Sequence, residues 1–380
     1  MFEAAAELKA ERGPENVFDF SLGNPDVPPP PAVGEALADL ATQAGEPRFF
    51  GYVPNAGLPL LREKLAERIS AEQSVAVGAA DVVVTCGAAG ALNALFRAVL
   101  EPGDEIVCPS PYFVEYGFYA SNFGGVLKPV PTTDSFDPDI EALEAAITER
   151  TRVLLINSPN NPTGRVYGED VLSAIGELLR RKSAETGRTI LLVSDEPYRF
   201  LVYDACVVPP VLPSYDASIV VSSFSKSLSL AGARIGYLAV NPAMPRIERL
   251  VAGITMTNRV LGYVNAPIIA QRVLQRVLDQ GVDTSVYDER RRAMADMLTA
   301  AGLEFVMPQG AFYFFPRCPD GWDDKAFAAH LLDHNIIAVP GSGFGRENHL
   351  RMTYCVDAAI IRAAHPRLVD ALRAANQRTC

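Results

Sequence analysis

The sequence predicts an α/β fold built on a mostly parallel sheet, with a smaller α+β unit toward the C-terminus. Three observations carry this prediction. Short β-branched runs recur at residues 82–85, 106–108, 126–130, 153–156, 190–194, 219–222 and 237–240. Between several of them, residues 91–100 and 171–182 carry apolar side chains at helical spacing. The short runs are apolar nearly throughout rather than alternating, as strands covered on both faces are. Strand and helix taking turns along the chain implies a parallel sheet.

The remaining segments follow in order. The stretch to about Gly45 is Pro-rich at residues 25–31 and is expected to wrap the surface rather than form core. After about residue 270 the texture changes. A helix over residues 268–280 precedes a charged stretch at 288–297. Candidate strands then lie near 304–307, 312–315, 336–339 and 350–354. Strands and helices without strict alternation suggest an α+β unit.

With 380 residues, 49% of them apolar and 21% charged, the chain has room for a large core and about two domains. A net charge of −11 argues against nucleic acid or an anionic membrane as the main partner. The cysteines (86, 108, 206, 318, 355 and 380) are scattered without metal-ligand spacing, so no metal and no disulfide framework is expected. All the histidines lie after residue 329, which removes a Ser-His-Asp or Cys-His arrangement from the middle of the chain. Residues 1–16 contain no apolar signal-like core, and no apolar run approaches the roughly eighteen residues of a membrane span. A soluble, cytoplasmic protein is expected.

Polar residues gather just after four of the buried runs. Residues 82–85 lead into Cys86-Gly87-Ala88-Ala89-Gly90, and residues 153–156 into Asn157-Ser158-Pro159-Asn160-Asn161-Pro162-Thr163-Gly164. Residues 190–194 lead into Asp195-Glu196-Pro197-Tyr198, and residues 219–221 into Ser222-Ser223-Phe224-Ser225-Lys226. If these strands are parallel, the four loops share one edge, where ligands of open α/β sheets bind. Each loop also has a plainer reading. The Gly87–Gly90 segment serves equally as a strand-to-helix turn, Asn161–Gly164 as a turn, and Asp195 as a helix cap. Arg234 and Arg351 could be ordinary surface or edge-strand charges, and Tyr52 an ordinary loop aromatic.

Lys226 resists the plain reading. It is one of six lysines, and it alone sits among small hydroxyl residues at the mouth of a buried strand. Partial desolvation lowers a lysine pKa, and a neutral amine can form a Schiff base. Hydroxyls and an arginine close by suit a phosphate. Together they suggest pyridoxal phosphate.

With these residues assembled, the chain resembles the fold type I pyridoxal-phosphate enzymes, and among them the class I/II aminotransferases of the aspartate aminotransferase type. The resemblance rests on Asn161-Pro162-Thr163-Gly164, Asp195-Glu196-Pro197-Tyr198, Ser223-Phe224-Ser225-Lys226 with Arg234, and Arg351. It runs from Gly23-Asn24-Pro25-Asp26 onward and covers nearly the whole chain.

The resemblance implies a large domain over residues 45–269 with a mixed, mostly parallel seven-stranded sheet. It implies a smaller α+β domain from residues 1–44 and 270–380. Lys226 would hold the cofactor as an internal aldimine and carry the proton. Asp195 would pair with the pyridine nitrogen, and Asn161 and Tyr198 would bond the phenolic oxygen. Ser223, Ser225, Arg234 and the amides of Ala88 and Ala89 would hold the phosphate, with Phe113 stacked on the ring. Arg351 would bind the substrate carboxylate, near Gly23 and Asn161.

Tyr52 would reach the phosphate of a neighbouring subunit, making a homodimer with shared sites. The implied reaction moves an amino group from an L-amino acid to a 2-oxo acid such as 2-oxoglutarate. Two segments depart from the family pattern: Ala233 stands where many relatives carry an aromatic, and residues 257–267 form an unusual loop. Arg259, in that loop, is expected to meet the substrate side chain across the dimer. A β-lyase, decarboxylase or racemase fits the same motifs. A non-catalytic regulatory module and a nucleotide-binding dehydrogenase are disfavoured by the intact Lys226 and the lack of a GxGxxG motif.

Overall fold

A computed structural model describes residues 2–378; Met1, Thr379 and Cys380 lie outside them. The strands in chain order are β1 (Phe18–Asp19), β2 (Val82–Thr85), β3 (Glu105–Ser110), β4 (Val126–Pro131), β5 (Thr151–Asn157) and β6 (Leu191–Asp195). They continue with β7 (Ser218–Ser223), β8 (Gly236–Val240), β9 (Tyr313–Phe314), β10 (Ile336–Ile337), β11 (Val339–Pro340) and β12 (Leu350–Thr353).

The main sheet has seven strands in the order β2-β8-β7-β6-β5-β3-β4. All neighbours are parallel except at β8, which runs antiparallel to both β2 and β7. The fold is therefore α/β on a mixed, mostly parallel sheet, as predicted. β2, β3, β5, β6 and β7 all end at the same edge. Every residue of β2, β6 and β8 is buried, which explains their unbroken apolarity.

Two cores divide the molecule. The larger runs from Val33 to Leu278 and packs both faces of the main sheet. The smaller joins Phe18 and Phe20 to residues 282–375, and includes Tyr198, Tyr203, Tyr313 and Tyr354. β11, β12 and β9 make its antiparallel sheet, and β1 pairs with β10. Two helices expected in the smaller unit contribute to the larger core instead. Pro31–Thr42 buries Val33, Ala36 and Leu40, and Ile268–Val277 buries Val273, Leu274 and Val277.

The N-terminal stretch contributes side chains to both cores rather than only wrapping the surface: Phe18 and Phe20 to the smaller, Val33, Ala36 and Leu40 to the larger. Its proline run ends with Pro31 at the first turn of a helix, where a missing N–H costs nothing. Residues 304–307 do not form a strand. Phe305 packs edge-on against Phe314, but the carbonyl of Glu304 bonds the Arg317 amide instead of joining a ladder. Residues 336–339 split between two sheets, with Ala338 as the crossing point. No helix among the described residues is long and apolar enough to cross a membrane. No group of His, Cys, Asp or Glu among them could hold a metal ion.

Candidate active site

Register builds the site. β6 lies between β5 and β7, so Asn157 pairs with Asp195 and Asp195 with Val221. β7 runs on to Ser223, and the short helix Phe224–Ser227 carries Lys226 just past its end. The reversed strand β8 brings Arg234 to the same edge from its own N-terminal side. Gly236 pairs with both Thr85 and Ser223, so Arg234 falls beside the start of the helix Gly87–Val99. Gly87 has φ +73°, and a Cβ there would lie 3.1 Å from Nη2 of Arg234. Glycine supplies both the backbone angle and the room.

These ends line one cavity of about 570 Å³. Gly23, Ala88, Ala89, Phe113, Asn161, Asp195, Tyr198, Ser223, Ser225, Lys226, Arg234 and Arg351 all face it. Tyr52 and Arg259 do not line it. Tyr52 is 90% exposed, and Arg259 is exposed at the end of the helix Ile247–Val260. Ala88 and Ala89 open the first turn of their helix, whose backbone N–H groups have no intrahelical acceptor. With Arg234 beside them they form a cradle for an anion.

Asp195 is the last residue of β6 and caps no helix. Its Oδ2 accepts a 2.6 Å hydrogen bond from Tyr116, while Oδ1 is buried with no partner. Burial pushes the carboxyl up to about 7; the Tyr116 bond opposes this and Glu196 adds to it. A buried carboxylate oxygen left bare is costly unless a cation or an N–H meets it. Asn157 braces this corner, donating to the Asp195 carbonyl at 2.7 Å and accepting from the Asn161 amide at 2.7 Å. Phe113 stands edge-on to Tyr116 with ring centroids 5.5 Å apart.

Lys226 donates from Nζ to the carbonyl of Gly23 at 2.7 Å. Burial lowers its pKa from 10.5 to about 8; Arg351 and Arg234 push the same way and Cys355 opposes them. A part-neutral amine at physiological pH is a nucleophile. Arg351, on β12, bonds the Ser21 carbonyl at 2.5 Å and Asn161 Oδ1 at 3.4 Å. Its Cζ lies 4.9 Å from the Tyr313 ring centroid and 4.7 Å from that of Phe344. Its Nε is buried without a partner, so the chain leaves the guanidinium of this cavity-lining arginine incompletely satisfied.

The motifs did not mark Tyr116, Asn157 or Tyr313. They also missed the role of Glu196, which turns away from the cavity. Its carboxylate accepts from Ser194 at 2.9 Å, Gln73 at 2.9 Å and Arg199 at 3.2 Å. That network ties β6 to the helix Pro59–Gln73 behind the site.

The family model for aminotransferase class I and II matches residues 15–368. The chain belongs to that family. This aminotransferase is 33% identical to the aspartate/prephenate aminotransferase of Thermus thermophilus, over 97% of this chain and 94% of the relative. It is 32% identical to the aspartate aminotransferase of Thermotoga maritima, over 97% and 95%. A solved amino transferase from Eubacterium rectale superposes with a TM-score of 0.94 at 36% identity, covering 98% and 94% of the two chains. The Thermus thermophilus aspartate aminotransferase solved with maleate gives 0.87 at 31%, covering 97% and 95%. Aminotransferases of this family are pyridoxal-phosphate enzymes in general, and the fold is their fold type I.

The depressed pKa of Lys226 has a stability signature. Between pH 8 and 10.5 the unfolded chain binds more protons at this lysine than the folded one. The penalty is therefore full below about pH 8 and fades as pH rises toward 10.5. In cofactor-free protein, Lys226→Met is expected to raise stability at pH 7 by about 2–3 kcal/mol. The gain should shrink across that pH window. A denaturant midpoint difference that does not change with pH would contradict the assigned burial.

Proposed function

We propose that this aminotransferase tethers pyridoxal phosphate at Lys226 and moves the amino group of an L-amino acid to a 2-oxo acid. One observation carries the reading. Asp195, whose Oδ1 is buried without a partner, lines the same cavity as Lys226.

When bound, pyridoxal phosphate supplies an aldehyde and a cationic ring that accepts electrons. The residues present fit that group. Oδ1 of Asp195 would accept the ring N–H, and the cation would favour the ionised carboxylate against the burial that otherwise raises its pKa. Arg234, the hydroxyls of Ser223 and Ser225, and the amides of Ala88 and Ala89 would hold the phosphate. Asn161 and Tyr198 would donate to the phenolic oxygen, and Phe113 would pack against the ring. Arg351 would take the substrate α-carboxylate, beside Gly23 and Asn161. Fixing that carboxylate would turn the α-hydrogen toward Nζ of Lys226, which, once the substrate amine has replaced it on the cofactor, would be free to take the proton and return it.

The relatives named for aspartate support a dicarboxylic donor; 2-oxoglutarate is the acceptor proposed with it. Lys226, Arg234 and Arg351 are the described cations on the cavity wall, and each already has a task. A side-chain carboxylate then needs a cation from a second copy of the chain. Arg259 is free for that role, and exposed Tyr52 for the phosphate of the second copy, which supports a homodimer with shared sites. The free cysteines among the described residues support a reducing, cytoplasmic setting.

A donor panel with 2-oxoglutarate tests the function. Glutamate formation from an amino-acid donor, lost in Lys226→Ala, is expected; release of pyruvate and ammonia instead would make the enzyme a lyase. Arg351→Ala should raise KM for the donor about 10- to 100-fold, as loss of a charged hydrogen bond does. An unchanged KM removes Arg351 from the substrate site. In the same panel Arg259→Ala should lower activity on aspartate relative to phenylalanine, and an unchanged ratio rejects its role.

A further inference from the structure

Tyr313 lines the cavity, yet no role above uses it. It stands on β9 in the smaller core, almost fully buried, and its hydroxyl lies 3.0 Å from that of Tyr198. The two rings meet edge to face at 87°, with centroids 5.9 Å apart. The surroundings hold this hydroxyl in place. Arg351 covers one side of the ring, and Gly23 approaches so closely that a Cβ there would come 2.1 Å from the Tyr313 oxygen. The contact with Tyr198 is the one hydrogen bond of the Tyr313 hydroxyl among the described residues.

Two hydroxyls sharing one contact cannot both donate into it. Each phenol carries a single proton. Burial keeps both protonated at neutral pH, pushing Tyr313 up to about 12 and Tyr198 well above the usual phenol range. If Tyr198 donates to Tyr313, it has no proton left for the cavity. If Tyr313 donates, the proton of Tyr198 is free to point inward. An oxygen that accepts a hydrogen bond is also a stronger donor through its own O–H.

We propose that Tyr313 is a positioning residue: it donates to Tyr198 and so commits the only proton of Tyr198 to the phenolic oxygen of the cofactor. This rests on the role given to Tyr198 in the proposed function. A pair that merely packs the smaller core would leave the cofactor's ionisation untouched. A pair that aims a proton would not. Donation to the phenolic oxygen favours its ionised form and lowers the pH at which the visible band of the bound cofactor changes.

The test is a pH titration of that band in four holoenzymes: wild type, Tyr313→Phe, Tyr198→Phe and the double variant. Phenylalanine keeps each ring and its packing. Tyr313→Phe is expected to move the midpoint upward by a measurable fraction of the Tyr198→Phe shift, because a Tyr198 that accepts no hydrogen bond is a weaker donor. The double variant should titrate with Tyr198→Phe, because Tyr313 acts only through Tyr198. A Tyr313→Phe midpoint at the wild-type value overturns the proposal. So does a double variant shifted beyond Tyr198→Phe by the full effect of Tyr313→Phe. A wild-type protein with no visible cofactor band at any pH overturns the tether at Lys226 and this proposal with it, whereas a band that is present but does not titrate, or does not respond to Tyr313→Phe, overturns this proposal alone.

Discussion

A carboxylate buried with one oxygen bonded and the other bare sets the terms for this molecule. Tyr116 holds Oδ2 of Asp195, and Oδ1 is left for something the chain itself does not supply. Such a group destabilises the fold that contains it. It becomes favourable only when a positive N–H arrives. Lys226 pays a similar penalty nearby, its ammonium disfavoured by the same desolvation. Removing water strains both groups, and the same dryness makes each effective: one as a partner for a cation, the other as a neutral amine. Stability is given up locally for reactivity, and the two large cores make that tolerable.

The sheet explains how so few residues meet. Parallel strands bring their carboxyl ends to one edge, which collects Asn157, Asp195 and the Ser223–Lys226 segment. The single reversed strand adds a group that lies before a strand rather than after one, Arg234, and seats it at a helix start. Arg351 and Tyr313 come from the smaller sheet and close the cavity from the other unit. The site thus depends on the relative seating of both units; Tyr198, just after β6 of the main sheet, packs in the smaller core.

The legible parts of the sequence were the local ones. The residues at strand ends could be found because each lies within a few positions of a buried run, where a polar side chain is conspicuous. Lys226 stood out for its hydroxyl neighbours. The unreadable parts were long-range or subtle. Tyr116 is 79 residues from Asp195 and Tyr313 is 115 from Tyr198, and no local pattern distinguishes them from core tyrosines. The carboxylate of Glu196 turns away from the cavity although it adjoins Asp195, because Gln73, Ser194 and Arg199 hold it there. Residues 304–307 read as a strand because they place an aromatic in the core, but strands need a partner edge and these have none. The prolines at residues 25–31 suggested a surface wrap, when the last of them, Pro31, starts a helix.

The central claim is that one particular amine of six carries the cofactor. Borohydride reduction of the holoenzyme, followed by peptide mass spectrometry, tests it most directly. The mass of reduced pyridoxal phosphate is expected on the peptide containing Lys226 and on no other lysine peptide. An adduct on Lys9, Lys64, Lys128, Lys182 or Lys325 in its place, or no adduct at all, would contradict it.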